Sequence, residues 1–224
     1  MRKGVENTKG TFYLSPMTHA LLSSRPSRGR SHLRSSSLSV FKDVALRVGR
    51  VHELCGPARR TLAAIIASRT TGPVFWITPS WQTDHLHLPA IARFFNPGRL
   101  TMLHPDRVNE FLWTMETTLR DGAVPLVIGD FHAPVELTPV RRLHLAAEAA
   151  LEERMRHVIG LLLTPGDGGS PGVETRWHLS GRHGTDGHRW HLERRRARME
   201  PPKAWELKPG WDLQPARLEP QQAQ

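Results

Sequence analysis

From Val44 onward, short apolar runs alternate with stretches whose apolar positions recur every three to four residues, the pattern of a chain that builds strand–helix–strand units. Val48–Leu54 reads as a strand. Pro57 then stands in the first turn of a helix that presents Leu62, Ile65 and Ile66 on one face and ends near Gly72. Pro73–Thr78 is a nearly continuous apolar run, the mark of a strand buried on both faces. Leu88–Phe95 reads as a short helix closed by Asn96-Pro97-Gly98, and Leu100–Leu103 as another strand. Asp106 is placed to cap a helix carrying Val108, Phe111, Leu112, Met115 and Leu119, with Gly122 ending it. Val124–Asp130 is a strand that delivers an acid at its carboxyl end. Thr138 as cap and Pro139 at the first position open a helix carrying Val140, Leu143, Leu145, Ala146 and Ala149, and Val158–Thr164 is one more buried strand.

After the glycine-rich turn 165–172 the pattern changes. Glu174–Ser180, Arg189–Arg198 and Ala204–Leu207 each hold a tryptophan in a short alternating stretch, which predicts antiparallel strands added beside a parallel core. The expected fold is therefore an α/β core over residues 44–165, mainly a parallel sheet flanked by helices, with a C-terminal antiparallel β extension over 173–207. Residues 1–43 and 208–224 read as disordered ends.

Charge sharpens the picture at the N-terminus. The net charge is +10, and residues 1–50 alone hold ten basic and only two acidic residues. The run Ser23–Ser31 and the block Ser35-Ser36-Ser37 contain too few apolar residues to offset the entropy of ordering. This basic arm either touches phosphates without sequence preference or is a solvated linker; Met17 marks a second candidate start. No apolar run approaches the roughly 20 residues that span a bilayer, which argues against a membrane protein. The single cysteine, Cys55, cannot form an intrachain disulfide and reads as a small core residue of a cytoplasmic chain. His85 and His87 are spaced as metal ligands can be, with no third ligand fixed beside them.

Candidate chemistry begins at Gly49-Arg50-Val51-His52-Glu53-Leu54-Cys55-Gly56-Pro57. This stretch resembles the strand that leads into the phosphate-binding loop of RecA-type recombinases. A working loop of that kind needs two glycines, a lysine and a hydroxyl, because backbone N–H groups cradle the phosphates while the lysine neutralises them. Gly56-Pro57-Ala58-Arg59-Arg60-Thr61 is shorter and lacks both the second glycine and the lysine. Gly56, Arg60, Thr61 and Asp130 are thus the candidates for a degenerate nucleotide site, with no ATP or magnesium expected and no catalysis.

Further motifs follow in order: Phe111–Ala123, Leu137–Ala149, Gly160–Leu163, Thr175-Arg176-Trp177 and Arg189–Glu193. Together they resemble bacterial ImuA proteins, RecA-like accessory proteins of mutagenic translesion synthesis. The resemblance implies a RecA-like fold and a nucleoid-associated role in the SOS response. It also implies two partners, an ImuB-type polymerase-like protein and an error-prone replicative-type polymerase subunit. Direct contact with DNA or partner is assigned to Arg141 and Arg142 on a helix and to Arg194, Arg195, Arg196 and Arg198 on a strand, where 194, 196 and 198 share a face. Single-stranded DNA is the nucleic acid expected there, while the tryptophans mainly fill the core. Two rivals stand beside this reading: a divergent DNA-stimulated ATPase using Arg60, Thr61 and Asp130, and a SulA-like cell-division inhibitor acting through protein contacts.

Overall fold

The computed structural model describes residues 36–185, 187–208, 210 and 213–215. Strands β1 (Ser37–Phe41) and β2 (Val44–Arg47) form an antiparallel hairpin. The chain continues through β3 (Arg50–Cys55), helix α1 (Arg59–Ser68), β4 (Val74–Ile77), α2 (Leu88–Ile91), β5 (Leu100–Leu103), α3 (Val108–Asp121), β6 (Leu126–Asp130), α4 (Leu137–Arg154) and β7 (Ile159–Leu163). It closes with β8 (Thr175–Gly181), β9 (Trp190–Ala197), β10 (Lys203–Leu207) and β11 (Leu213–Pro215).

Nine of these strands form one mixed sheet in the order β11-β10-β9-β8-β3-β7-β6-β4-β5. From β8 to β5 every neighbouring pair is parallel, and β9, β10 and β11 are added antiparallel. The expected α/β fold with a mostly parallel sheet flanked by helices is therefore present. The antiparallel extension begins one strand later than expected, because β8 pairs in parallel with β3 through Glu53↔Arg176 to Cys55↔His178.

Strand alternation divides the core into two layers. Leu54, Trp76, Ile128, Leu161 and Leu163 face Leu62, Ile65 and Ile66 of α1 and the hairpin residues Val40, Phe41, Val44 and Leu46. On the opposite side Val51, Val127 and Leu162 meet Phe111, Met115 and Leu119 of α3 and Val140, Leu143 and Ala147 of α4. Gly160 permits the closest approach there, since a Cβ on it would sit 3.1 Å from Val51 and 3.3 Å from Leu119.

Several element ends differ from the sequence expectation. Order starts before Val44: Val40 and Phe41 are buried in β1, so the predicted disordered arm does not extend to residue 43. At the other end β11 pairs with β10 inside the predicted tail. Residues 1–35, 209, 211–212 and 216–224, on which much of both predictions falls, lie outside the described residues. α1 starts at Arg59, two residues after Pro57, because Ala58 N–H bonds Leu179 O on β8. α3 is preceded by Arg107 rather than capped by Asp106, and α4 starts at Leu137 with Glu136 before it, so Thr138 does not cap. Pro139 instead sits in the first turn of α4, where a missing N–H leaves no intrahelical bond unmade. Gly122 ends α3 in the left-handed conformation as expected.

Candidate functional site

Helix α1 follows β3 on one face of the sheet, and α4 follows β6 on the other, with β7 between the two strands. Open α/β sheets bind ligands at such a place, in the crevice outside the carboxyl ends of the strands. Gly56, Arg60, Thr61 and Asp130 lie around it, at the ends of β3 and β6 and in the first turn of α1.

The β3–α1 loop uses its own donors internally. Gly56 N–H donates to Gly166 O at 2.8 Å, Ala58 N–H to Leu179 O at 3.1 Å and Arg59 N–H to Gly56 O at 3.3 Å, while Pro57 has no N–H. Gly56 adopts φ +88°, and a Cβ there would lie 2.6 Å from Leu179 O and 2.7 Å from His178 Nε2. The loop is therefore pressed against β8 instead of arching over an open cradle.

Asp130 is 1% exposed at the end of β6. Arg60 Nε donates to its Oδ2 at 2.6 Å, and the same guanidinium reaches Asp84 Oδ2 at 2.6 Å and Asp84 O at 3.1 Å. Arg59 Nε lies 3.9 Å from Asp130 Oδ1, and neither of these two buried atoms has a hydrogen-bond partner among the described residues. Burial pushes the Asp130 carboxyl above its usual pKa, against the opposing pull of Arg60 and Arg59. Thr61 is half-buried on α1 and makes no side-chain hydrogen bond among the described residues. Chemically the site is a buried acid at the end of β6 faced by two arginines from the first turn of α1.

Next to it lies a network that reading the sequence did not single out. Glu53, fully buried on β3, accepts at Oε1 from Thr164 Oγ1–H at 2.8 Å and from Gly169 and Ser170 N–H at 3.0 Å each. Its Oε2 accepts from Arg176 Nε, and Arg176 also donates to Ser170 O at 3.0 Å. Glu53 thus pins the loop 165–172 over the end of the sheet, and its place inside an apolar strand was the available signal. Cys55 is buried beside it, its thiol pushed up to about 12 chiefly by burial, which leaves it unreactive at neutral pH. Asp84, His85 and His87 do not gather into a metal site; no cluster of three or more suitable ligands occurs among the described residues.

The arginines assigned to contact separate into different environments. Arg194 is 5% exposed and does not face solvent. Its guanidinium lies 5.7 Å from the Trp177 ring and 5.6 Å from the Trp205 ring, donates to Pro201 O at 3.0 and 3.2 Å and pairs with Glu200. The expected contact role for Arg194 is corrected to a structural one. A bulge explains why alternation misleads here: Arg176 pairs with Arg196 but Trp177 pairs with Arg194, leaving Arg195 as the extra residue. Arg195 bonds Glu193 at 2.6 Å and Asp167 at 2.7 Å. Arg196 is aligned with Arg176 and so shares the side of the sheet away from Trp177, not the face of Arg194. Arg196 and Arg198 are exposed, and neither has an ion-pair partner among the described residues.

On the helical face Arg142 pairs with Glu116 of α3 at 2.7 Å, joining the two helices. Arg141 is exposed beside it without an ion-pair partner among the described residues. Trp113 on α3 and Leu145 on α4 are each 62% exposed. Arg141 and Arg142 stand on α4, which packs on the core, and Arg196 and Arg198 stand at β9 and just beyond it, in the extension past β8.

No helix among the described residues is long and apolar enough to cross a membrane. No protein-family model matches the chain, and no curated protein matches it.

Proposed function

We propose that this chain is a non-catalytic RecA-like adaptor in DNA damage-induced mutagenesis and translesion DNA synthesis. It keeps the layout of a nucleotide-binding α/β core and uses its outer surfaces to hold a polymerase-like partner and DNA. The observation that carries this reading is the closed β3–α1 loop. The N–H groups of Gly56, Ala58 and Arg59 are bonded to protein carbonyls and Asp130 is paired with Arg60, so these donors and this carboxylate are already engaged within the fold.

The adaptor's partners follow from the resemblance to ImuA proteins: an ImuB-type polymerase-like protein and an error-prone replicative-type polymerase subunit. The exposed Trp113 and Leu145, with Arg141 and Arg142, are the residues of α3 and α4 offered to a protein. Exposed Arg196 and Arg198 offer cations to a phosphate backbone. The divergent-ATPase alternative would need Arg60 to leave Asp130, which unpairs a buried acid.

The test is genetic. Deleting the coding sequence in its own host is expected to abolish the rise in mutation frequency after DNA damage, and restoring the full chain to return it. An undiminished mutation frequency in the deletion strain would reject the role.

A further inference from the structure

Helices α3 and α4 lie side by side over the sheet, their inner faces committed to the core they share with Val51, Val127 and Leu162. Each leads into a strand of the parallel sheet, β6 and β7, so the two run in the same direction. One acid joins them. Glu116 of α3 accepts at Oε1 from Arg120 of its own helix at 2.9 Å and pairs through Oε2 with Arg142 of α4 at 2.7 Å. This bridge fixes what stands near it. Trp113 lies three residues before Glu116, one turn toward the amino end of α3, and Leu145 lies three residues after Arg142, one turn toward the carboxyl end of α4.

Exposed apolar residues scattered singly are ordinary, but these two large side chains stand a turn away on either side of the same bridge. The charge around them is unbalanced. Glu116 sets one negative charge against the two cations it binds, and Arg141, exposed next to Arg142, has no ion-pair partner among the described residues. The acids near the two ends of α3 are already held, Glu110 by Arg107 at 3.8 Å and Asp121 by Arg154 at 3.2 Å. The middle of the helix pair therefore sets three arginines against one carboxylate, a surplus of two positive charges about an indole and a leucine.

We infer that the outer face of the α3–α4 pair docks an acidic amphipathic helix of a protein partner, whose apolar side chains cover Trp113 and Leu145 and whose carboxylates pair with Arg120, Arg141 and Arg142. Tryptophan and arginine are the residues that carry most energy in protein interfaces, and an amphipathic helix supplies apolar anchors three, four and seven residues apart with acids beside them. Charge complementarity selects the acidic partner, because carboxylates meet the surplus of arginines here while lysines would add to it. A nucleic acid fits less well: Leu145 gives a base no ring to stack on, and Glu116 repels a phosphate. The inference rests on the protein-binding part of the adaptor reading and does not require the partner to be a polymerase.

Fluorescence anisotropy of the full chain tests it with two labelled helical peptides of about 16 residues, each carrying leucines at the helical period, one with glutamates and the other with lysines between them. The acidic peptide should bind about tenfold more tightly than the basic one. The double variant Trp113→Ala/Leu145→Ala should weaken the acidic peptide about tenfold at an unchanged melting temperature, since neither side chain is core. Arg141→Glu should reduce the preference for the acidic peptide about fivefold. Equal affinity for the two peptides, no binding of either, or variants that bind like the parent would overturn the inference. Displacement of the acidic peptide by oligothymidine would overturn it in favour of a nucleic acid, and a dimer in sedimentation that Trp113→Ala/Leu145→Ala dissolves would overturn it in favour of a second copy. Peptide binding as expected, in a chain whose deletion leaves damage-induced mutation frequency undiminished, would count against the adaptor reading alone.

Discussion

Arg60 Nε stands 2.6 Å from Asp130 Oδ2, tying the first turn of α1 to the carboxyl end of β6 with β7 lying between the strands that position them. The same guanidinium holds Asp84, which is largely exposed at 75%. One arginine thus carries two ion pairs of unequal weight, because a desolvated carboxylate depends on its partner far more than a hydrated one does. Asp130→Asn should cost roughly 2 kcal/mol of stability by removing the charged acceptor of Arg60. Asp84→Asn should cost less than about 1 kcal/mol. Urea unfolding of the two variants checks this, and equal losses would show that Asp130 does not sit in a low-dielectric environment.

Gly56 joins local backbone geometry to the closed loop. Its φ of +88° and the 2.6 Å approach a Cβ would make to Leu179 O leave no room for a side chain. Gly56→Ala should lose at least about 2 kcal/mol, the left-handed backbone alone accounting for roughly 1–2 kcal/mol. A melting temperature unchanged from the parent would mean that β8 is not pressed against the loop.

Two histidines set an acid limit. His52 is fully buried, its Nδ1 2.7 Å from Thr175 Oγ1 and its Nε2 3.0 Å from Arg47 O; desolvation lowers its pKa to about 4, opposed by Arg47 O and by Glu174. His144 accepts from Val51 N–H at 3.2 Å, faces Gly172 O at 3.1 Å and is lowered in the same direction by burial and by Arg50. Both are held neutral in the fold. A depressed histidine pKa contributes stability that is complete above the ordinary value near 6.5 and is lost as pH falls toward the folded value. His52→Gln should therefore be less stable than the parent at pH 7, and the gap should shrink by about 3 kcal/mol as the pH falls to about 4. Parallel stability curves for the two chains across that range would contradict the assignment.

The β9 arginines should separate in the laboratory as they do in space. Arg194, buried against Trp177 and Trp205, should cost about 2–4 kcal/mol of stability when replaced by Ala, because the Glu200 partner and the indole rings lose their cation. Arg196→Ala/Arg198→Ala should leave the melting temperature unchanged and lower the salt slope of single-stranded DNA binding by about 1.4. Thermal unfolding and a salt titration of each variant distinguish these outcomes; an unchanged slope would remove both residues from the contact surface.

Most of the parallel core was legible in the chain because each of its strands is a short apolar run and each long helix repeats at the helical period. Val127 and Leu162 face α3 and α4 while Ile128, Leu161 and Leu163 face α1 and the hairpin, a two-sided burial that the run Leu126–Ile128 already implied. Strand β1 was not legible: Val40 and Phe41 follow a serine- and arginine-rich stretch, and packing in one cluster with α1 and with Trp177 and Leu192 makes them core. Arg194 was misread for a related reason. One extra residue in β9 shifts the phase of alternation, and a cation between two tryptophans has the same sequence signature as a cation on a solvated edge. Asp130 was found from its place at a strand end, but its pairing with Arg60 spans 70 residues, and no local pattern encodes it. The absence of a second glycine and a lysine from Gly56–Thr61 was legible in the chain, whereas the capture of the loop's N–H groups by Gly166 and Leu179 depends on tertiary contacts alone.

The central claim is that this core has given up nucleotide chemistry and acts through its surfaces. Calorimetric titration of ATP with magnesium into the full chain tests it most directly. The account predicts no saturable heat at millimolar nucleotide and the same trace for Asp130→Asn. Saturable binding accompanied by phosphate release, with the release abolished in Asp130→Asn, would contradict it and make the chain an ATPase.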